Sequence, residues 1–212
     1  GTGVSITGGS GSTSFNLTGN DLDIVTTAGG TGFSAASAGT ISVQGDSNTI
    51  AATGGIGLSV TSSTIGNDGL KFLSINSSNA SSGIVLNNTG ALGGLTVTGK
   101  VGTAYSGGTI SGATDSAAIV ATNTQDLNLA LMKILNPLGH GILATNLRGS
   151  NSLANSEING FSAGGGDRED GLRVVNTDAS MTALTVSNTK FLNAANANDG
   201  IFMEAQGTSN MV

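Results

Sequence analysis

The sequence predicts an all-β chain that folds as a right-handed parallel β-helix, a solenoid of about eight coils. Three observations predict it: a short strand motif recurs along the chain, its apolar residues alternate, and a short polar residue closes six of its seven copies. Each copy begins with a small residue followed by an apolar–any–apolar triplet. The copies span residues 32–37, 57–62, 83–88, 118–123, 141–146, 171–176 and 200–205. Repeats about 20 to 50 residues apart, each with one strand signal, are typical of solenoids.

The composition favours a folded β-chain over a flexible linker. The 212 residues include 35 Gly, but 37% are hydrophobic, which is more than a disordered segment of this kind carries. Gly interrupts nearly every window in which an amphipathic helix would be possible. No apolar run reaches the about 18 residues of a membrane-spanning helix, and the seven Lys and Arg are scattered in a chain of net charge −6. We therefore expect no transmembrane helix and no nucleic-acid partner.

The apolar positions of the motif predict the core. With the small residue counted as position zero, positions one and three are apolar in all seven copies. Alternate side chains of a strand share a face, so these side chains are expected to point inward and to stack from coil to coil. The predicted stack consists of Phe33, Ala35, Leu58, Val60, Ile84, Leu86, Ile119, Ala121, Ile142, Ala144, Leu172, Val174, Ile201 and Met203.

Position five of the motif predicts a polar ladder that is independent of the apolar pattern. It holds Ser37, Ser62, Asn88, Asn123, Asn146, Asn176 and, last, Ala205. Asn side chains in stacked turns hydrogen-bond to one another along the coil axis and satisfy backbone groups at the bend.

A second alignment in three later coils predicts another sheet. Residues 127–134, 151–158 and 184–191 align without gaps. Their shared apolar positions hold Leu129, Leu153 and Val186, and then Ile134, Ile158 and Phe191. Their neighbours Lys133, Glu157 and Lys190 are expected to form an outward row of alternating charge. Parallel crossovers are right-handed by strong preference, so we expect that hand, with loops near residues 99–108 and 161–170.

Residues 1–212 are expected to form a single β-helix segment. Both ends of the chain interrupt a repeat, and neither carries an amphipathic cap. Solenoids normally protect their open ends with caps. The pattern therefore favours a segment of a longer repeat protein. The alternative is a filament-forming subunit whose copies stack end to end.

Three stretches of the chain resemble β-helix modules of very large bacterial surface and secreted proteins. They are residues 83–90 (GIVLNNTG), 94–99 (GLTVTG) and 187–191 (SNTKF). The family is adhesin-like, and its architecture is similar to that of autotransporter passengers and filamentous haemagglutinin. The resemblance implies an extracellular or cell-surface location and a role in adhesion, biofilm or envelope structure. It also implies a host-cell, matrix or carbohydrate ligand, or copies of the chain itself, as partner, but it carries over no binding residues.

The same fold hosts polysaccharide hydrolases and lyases, so catalysis has to be argued from residues. The tripeptides 139–141 (GHG) and 176–178 (NTD) also occur in polygalacturonases, which use a general acid and a water-activating carboxylate. Here their order is reversed and no Asp pair lies between them. We therefore expect no catalytic residues and no enzyme activity. The alternative is a polysaccharide-binding or polysaccharide-degrading domain with a groove near His140, Asp170 and Asp199.

One acidic cluster suggests a cation site. Asp167, Glu169 and Asp170, with Asp199 one coil later, offer the carboxylate oxygens that Ca²⁺ prefers. The alternative is a solvated turn that leads into the strand after residue 171. We expect no cofactor, and Ca²⁺ is the one candidate metal.

The outward positions two and four of the motif include several apolar residues where solvent-facing strands usually carry polar ones. These residues are Val85, Val120, Leu143, Val175 and Phe202. An exposed apolar stripe on adjacent coils is the usual mark of a contact surface. We expect it to contact a ligand or partner unless a loop covers it.

Overall fold

The structure, a computed structural model, describes residues 1–8, 14–17, 22–161, 169–193 and 199–210. All regular secondary structure in these residues is β-strand, and no helix among them is long and apolar enough to cross a membrane. The strands of the described residues are β1 (Val4–Thr7), β2 (Ser14–Leu17), β3 (Asp23–Thr26), β4 (Phe33–Ala36), β5 (Thr40–Val43), β6 (Thr49–Thr53), β7 (Leu58–Thr61), β8 (Thr64–Phe72), β9 (Ser74–Ser78), β10 (Ile84–Asn87), β11 (Leu95–Val97), β12 (Gly108–Ser111), β13 (Ala117–Thr122), β14 (Asn128–Ala130), β15 (Met132–Leu135), β16 (His140–Thr145), β17 (Gly149–Ala154), β18 (Glu157–Asn159), β19 (Leu172–Asn176), β20 (Met181–Ser187), β21 (Lys190–Leu192) and β22 (Ile201–Ala205).

The strands form three parallel sheets, and each coil contributes one strand to each sheet. Sheet A contains β1, β4, β7, β10, β13, β16, β19 and β22 in that order. Sheet B contains β2, β5, β8, β11, β14, β17 and β20, and sheet C contains β3, β6, β9, β12, β15, β18 and β21. The described residues therefore make seven complete coils and an eighth strand of sheet A. This confirms the predicted all-β parallel solenoid and comes close to the expected eight coils.

The predicted core row lies in sheet A with the expected register. Phe33 pairs with Leu58 and Leu58 with Ile84, and the row continues without a shift to Leu172 and Ile201. Twelve of the fourteen predicted side chains are at most 3% exposed. The exceptions belong to the last strand: Ile201 and Met203 are 42% and 44% exposed, because no strand among the described residues packs beyond β22.

An additional copy of the motif precedes the seven that were counted from the sequence. It begins at Gly3, and β1 pairs Val4 with Phe33 and Ile6 with Ala35. The core also draws on sheets B and C, from which side chains such as Phe72 pack against the sheet A row. The rings of Phe33 and Phe72 meet edge to face with their centroids 6.3 Å apart.

Packing against sheet C explains why the motif opens with a small residue. A β-carbon added to Gly32 would lie 2.5 Å from Ile50 Cγ2 and 2.5 Å from the carbonyl oxygen of Gly57 in the next coil. A β-carbon on Gly83 would lie 2.5 Å from Ile110 Cγ2. The buried isoleucines of sheet C occupy the space that a side chain would need, so the glycine and the isoleucine are complementary.

The predicted polar ladder is present from Asn88 to Asn146. Asn123 Nδ2 donates to Asn88 Oδ1 at 2.6 Å, and Asn146 Nδ2 donates to Asn123 Oδ1 at 3.1 Å. From Ser37 to Asn146 the residues at this position have φ between 49° and 56°. Asn tolerates this left-handed conformation better than most residues. The same turn therefore explains both the bend of the chain and the residue type.

Asn176 departs from the predicted ladder. Strand β19 continues through it without the left-handed turn, so its side chain points inward and is buried. There its Nδ2 donates to the Leu147 carbonyl and its Oδ1 accepts the Leu147 N–H, each at 2.9 Å. Asn176 thus satisfies the backbone of the preceding coil instead of extending the ladder.

The predicted charge row has the expected register on sheet C, but it is less exposed than expected. Glu157 pairs with Lys133 on one side and Lys190 on the other, and Lys133 Nζ lies 3.5 Å from Glu157 Oε1. The loop of residues 99–107 covers two members of this row, whereas Lys190 is exposed. The Tyr105 hydroxyl donates to Glu157 Oε2 at 2.6 Å, and Lys133 Nζ lies 4.7 Å from the centre of the ring. Glu157 is therefore only 7% exposed.

We expect Gly32→Ala to lower the free energy of unfolding by about 1–3 kcal/mol, because the new methyl group overpacks the contact with Ile50. Urea denaturation of the purified variant measures this. Gly200→Ala is the matched control at the same position of the motif, since its nearest contact would be Phe191 Cβ at 3.4 Å. It should change stability by no more than about 0.5 kcal/mol. Equal losses in the two variants would contradict the packing argument.

The hydrogen bond to Glu157 raises the pKa of Tyr105 above its ordinary value of 10.0, with burial and the carboxylate charge adding to it. Tyr105 is the only tyrosine and the chain has no tryptophan, so an ultraviolet absorbance titration reports this phenol alone. We expect a midpoint above 10 that returns toward 10 in Glu157→Gln. Lys190→Gln, which changes a charge in the same row, should leave the midpoint in place. A wild-type midpoint at or below 10 would show that the loop does not lie on the sheet.

Candidate functional site

His140, Asp170 and Asp199 lie in three successive coils at the turn that leads into sheet A. Each immediately precedes the small residue that opens a repeat. The Gly141 N–H donates to the Asp170 carbonyl at 3.1 Å, and the Gly171 N–H donates to the Asp199 carbonyl at 3.0 Å. The structure therefore brings together the three residues that the sequence proposed for a polysaccharide groove.

Both carboxylate oxygens of Asp170 are used inside the solenoid. Oδ1 accepts the Asp199 N–H at 3.1 Å, and Oδ2 accepts Arg173 Nη1 at 3.0 Å. The side chain is only 1% exposed. A general acid or base must come within hydrogen-bond reach of its substrate. In this arrangement Asp170 instead links its own coil to the backbone of the next one.

His140 supports the same turn through its ring. Its Nδ1 accepts the Asp170 N–H at 2.7 Å, which places the proton of the neutral ring on Nε2. Burial lowers the pKa of His140 below its ordinary value of 6.5, and the negative charge of Asp170, whose Oδ2 lies 4.0 Å away, offsets part of this effect. The imidazole is therefore held neutral, because protonation at Nδ1 would remove its hydrogen bond to the backbone.

The two tripeptides shared with polygalacturonases do not meet. His140 lies at the start of β16, whereas Asp178 follows the end of β19, so the length of a sheet A strand separates them. Five residues of extended chain span about 16 Å. Asn176, the first residue of the second tripeptide, is fully buried. The two tripeptides therefore lie at opposite ends of a sheet A strand and do not form one site.

The proposed cation ligands are only partly within the described residues. Asp167 lies outside them, and Glu169, Asp170 and Asp199 lie within them. Among the described residues no group of three or more acidic or histidine side chains is placed to hold a metal ion. The Glu169 Oε2 atom is buried and has no hydrogen-bond partner among the described residues. Because Asp167 lies outside the described residues, the Ca²⁺ site stays a prediction.

The apolar stripe is continuous over three coils on the outer face of sheet A. Val85 pairs with Val120, and Val120 pairs with Leu143; all three are half-buried. Arg173 occupies the next place in this row and Phe202 the one after it, with the guanidinium 4.1 Å from the centre of the ring.

Val175 lies outside this row. It pairs with Thr145 in the neighbouring outer row, two residues further along the strand. The interruption by Arg173 was visible in the sequence, since Arg173 is at position two of the repeat that opens at Gly171. A row-by-row comparison of the repeats, rather than a search for apolar residues, would have identified it.

We expect the stability of the fold to decline as the pH falls from 7.5 to 5.5. Because the pKa of His140 is lower in the folded chain than in the unfolded chain, the unfolded chain binds a proton at a higher pH. The stabilisation of the fold by neutral His140 is therefore complete above pH 6.5 and is lost as the pH falls through the folded pKa. His140 is the only histidine, so an NMR titration of its ring gives the midpoint directly. The variant His140→Asn, which keeps an acceptor near Nδ1, should melt at nearly the same temperature across this range. A folded-state midpoint of 6.5 or higher would contradict the assignment.

In comparisons with known proteins, no family model matches this chain, and neither a curated protein nor a solved structure is significantly similar to it.

Proposed function

We propose that this chain is a non-catalytic structural and adhesive segment of an exported bacterial surface protein. The observation that carries the proposal is the internal use of Asp170, whose two oxygens bind Arg173 and the backbone of Asp199. His140 is likewise occupied by the Asp170 N–H. The side chains best suited to act on a polysaccharide thus support the turns of a shaft.

The solenoid itself suits a structural role. Each coil contacts mainly its neighbours, so the stability of the shaft comes from a stack of equivalent interfaces. Large side chains such as Phe33, Ile84 and Leu86 are fully buried along its axis. An extended surface built in this way presents the same outer rows over several coils. The exported, bacterial setting rests on the resemblance of the motifs to adhesin-like modules.

The adhesive part of the proposal rests on the outer row of Val85, Val120 and Leu143. Three apolar side chains side by side and only half-buried are costly to leave in water. Polar residues occupy the next outer row of the same strands, where Thr122 pairs with Thr145. The contrast between these neighbouring rows favours contact of the apolar one with a cell or matrix surface.

We expect the double variant Val120→Lys/Leu143→Lys to bind at least about tenfold more weakly than wild type to immobilised cells or matrix, since charges at the centre of an apolar contact are strongly unfavourable. Its melting temperature should stay close to that of wild type. Thr122→Lys/Thr145→Lys is the matched control on the same strands and the same face, and it should bind normally. Equal loss of binding in both double variants would point to charge alone. A large drop in melting temperature of the first variant would show that the row is covered.

The proposal also predicts no release of sugar when the chain is incubated with acidic polysaccharides. Reducing-end assays on polygalacturonate and alginate measure this. Turnover that His140→Asn abolishes while the variant stays folded would replace the proposal with the polysaccharide-degrading alternative.

A further inference from the structure

A polar groove lies at the corner between sheets A and B, away from the His140 cluster. It crosses four successive coils and has a volume of about 550 Å³, which is within the usual range for small-molecule sites. Its lining consists of Ser62, Ser63, Thr64, Asn88, Gly90, Asn123 and Arg148. These seven residues include one positive charge, no acidic side chain and no aromatic ring. In a chain of net charge −6, this is an unusual surface.

The hydrogen bonds of the Asn ladder determine which amide groups face this groove. The N–H groups of Thr177 and Asp178 both donate to Asn146 Oδ1, at 2.8 and 3.1 Å. The amide nitrogen of Asn146 must therefore face Asn123, and it donates to Asn123 Oδ1. Asn123 in turn donates to Asn88 Oδ1, so the three amides are aligned. Their donor end is the NH₂ group of Asn88, which has no acceptor among the described residues.

Arg148 adds a positive charge to the same groove, in the coil of Asn146, two coils beyond Asn88. It follows Asn146 by two residues, as Gly90 follows Asn88, so it lies on the groove side of the corner. Arg148 is half-buried as a residue, and its guanidinium has no hydrogen bond or ion pair with any described residue. Asp126, in the preceding coil, is occupied: Oδ1 accepts the Ser150 N–H at 2.8 Å and Oδ2 accepts Gln125 Nε2 at 3.2 Å. Asp178, in the following coil, accepts the Thr177 hydroxyl at 3.3 Å.

A second groove, on the outer face of sheet B, differs in its charges. It has a volume of about 640 Å³, and its lining includes Asp68, Lys71 and Asp126. Two carboxylates beside one ammonium group do not select an anion. The corner groove is therefore the more donor-rich of these two grooves.

We propose that the corner groove binds a carboxylate-bearing sugar, a uronate residue of an acidic polysaccharide. The planar fork of Arg148 matches a carboxylate through two parallel hydrogen bonds. Asn88, with Ser62 and Thr64, supplies donors and hydroxyl groups for the sugar hydroxyls. Without an aromatic ring on which a neutral sugar would stack, recognition depends on charge and hydrogen bonding. The inference rests on the proposed adhesive function and adds to it a second contact, apart from the apolar row, with a stated ligand class.

Isothermal titration of the full chain with trigalacturonate at low ionic strength tests this assignment. We expect binding that Arg148→Gln weakens by about tenfold or more, since a hydrogen bond to a charged group contributes about that much. Lys71→Gln makes the same change in net charge in the other groove and should leave the affinity within about twofold. Both variants should melt like wild type, because neither side chain has a hydrogen bond within the described structure.

Two further arms identify what the groove recognises. Neutral galactotriose should bind at least about tenfold more weakly than trigalacturonate, because it lacks the carboxylates. Inorganic sulfate should also bind more weakly, because it lacks the hydroxyls. Equal affinity of wild type and Arg148→Gln, equal affinity for the neutral sugar, or sulfate binding as tight as trigalacturonate would each overturn the assignment. Absence of trigalacturonate binding with intact adhesion to cells would overturn this assignment alone and leave the proposed function standing.

Discussion

In-register parallel pairing between successive coils is the constraint on which the rest of the structure depends. Each strand hydrogen-bonds to its equivalents about 4.8 Å above and below, so a residue suits its position only if it suits the same position in both neighbours. The fully buried row from Phe33 to Ile119 satisfies this by stacking apolar side chains. The packing of Gly32 against Ile50 satisfies the constraint through complementary volumes. The residue before a sheet A strand has no side chain where sheet C places a large one.

The same constraint explains why polar groups inside the shaft serve structure first. A buried polar group without a partner is expensive, so each bend must satisfy its own backbone. Asn176 does this for Leu147, and Asp170 does it for Asp199. Such residues resemble catalytic ones in type, since both roles select Asn, Asp and His. What distinguishes the two roles is whether an oxygen or nitrogen remains available to a ligand.

The sequence was sufficient to predict seven of the eight described strands of sheet A, their register and twelve of the fourteen core side chains proposed for them, because the motif there has a constant length. Sheet B was harder to predict: its pairing shifts between Ile41 and Val43, so the early coils do not align with the later ones. The contact of Tyr105 with Glu157 joins residues 52 apart and depends on how a loop folds over a sheet, which no periodicity encodes. At the candidate site, register predicted that His140, Asp170 and Asp199 are neighbours. The sequence does not specify their hydrogen bonds, because the orientation of a side chain at a turn depends on local backbone angles.

Interruptions of the repeat, rather than the repeat itself, leave polar groups available for binding. In a ladder of amides, every NH₂ group except the last donates to the oxygen of the next amide. At one end, the oxygen of Asn146 accepts the N–H groups of Thr177 and Asp178. At the other end the preceding coil offers Ser62 in place of an asparagine, so the amide group of Asn88 has a donor to spare. Arg148 is an exception of the same kind, since it places a positive charge where the four preceding coils have Gly39, Thr64, Gly90 and Gln125. The register that builds the shaft therefore also determines where such exceptions meet, and at this corner two of them face one groove.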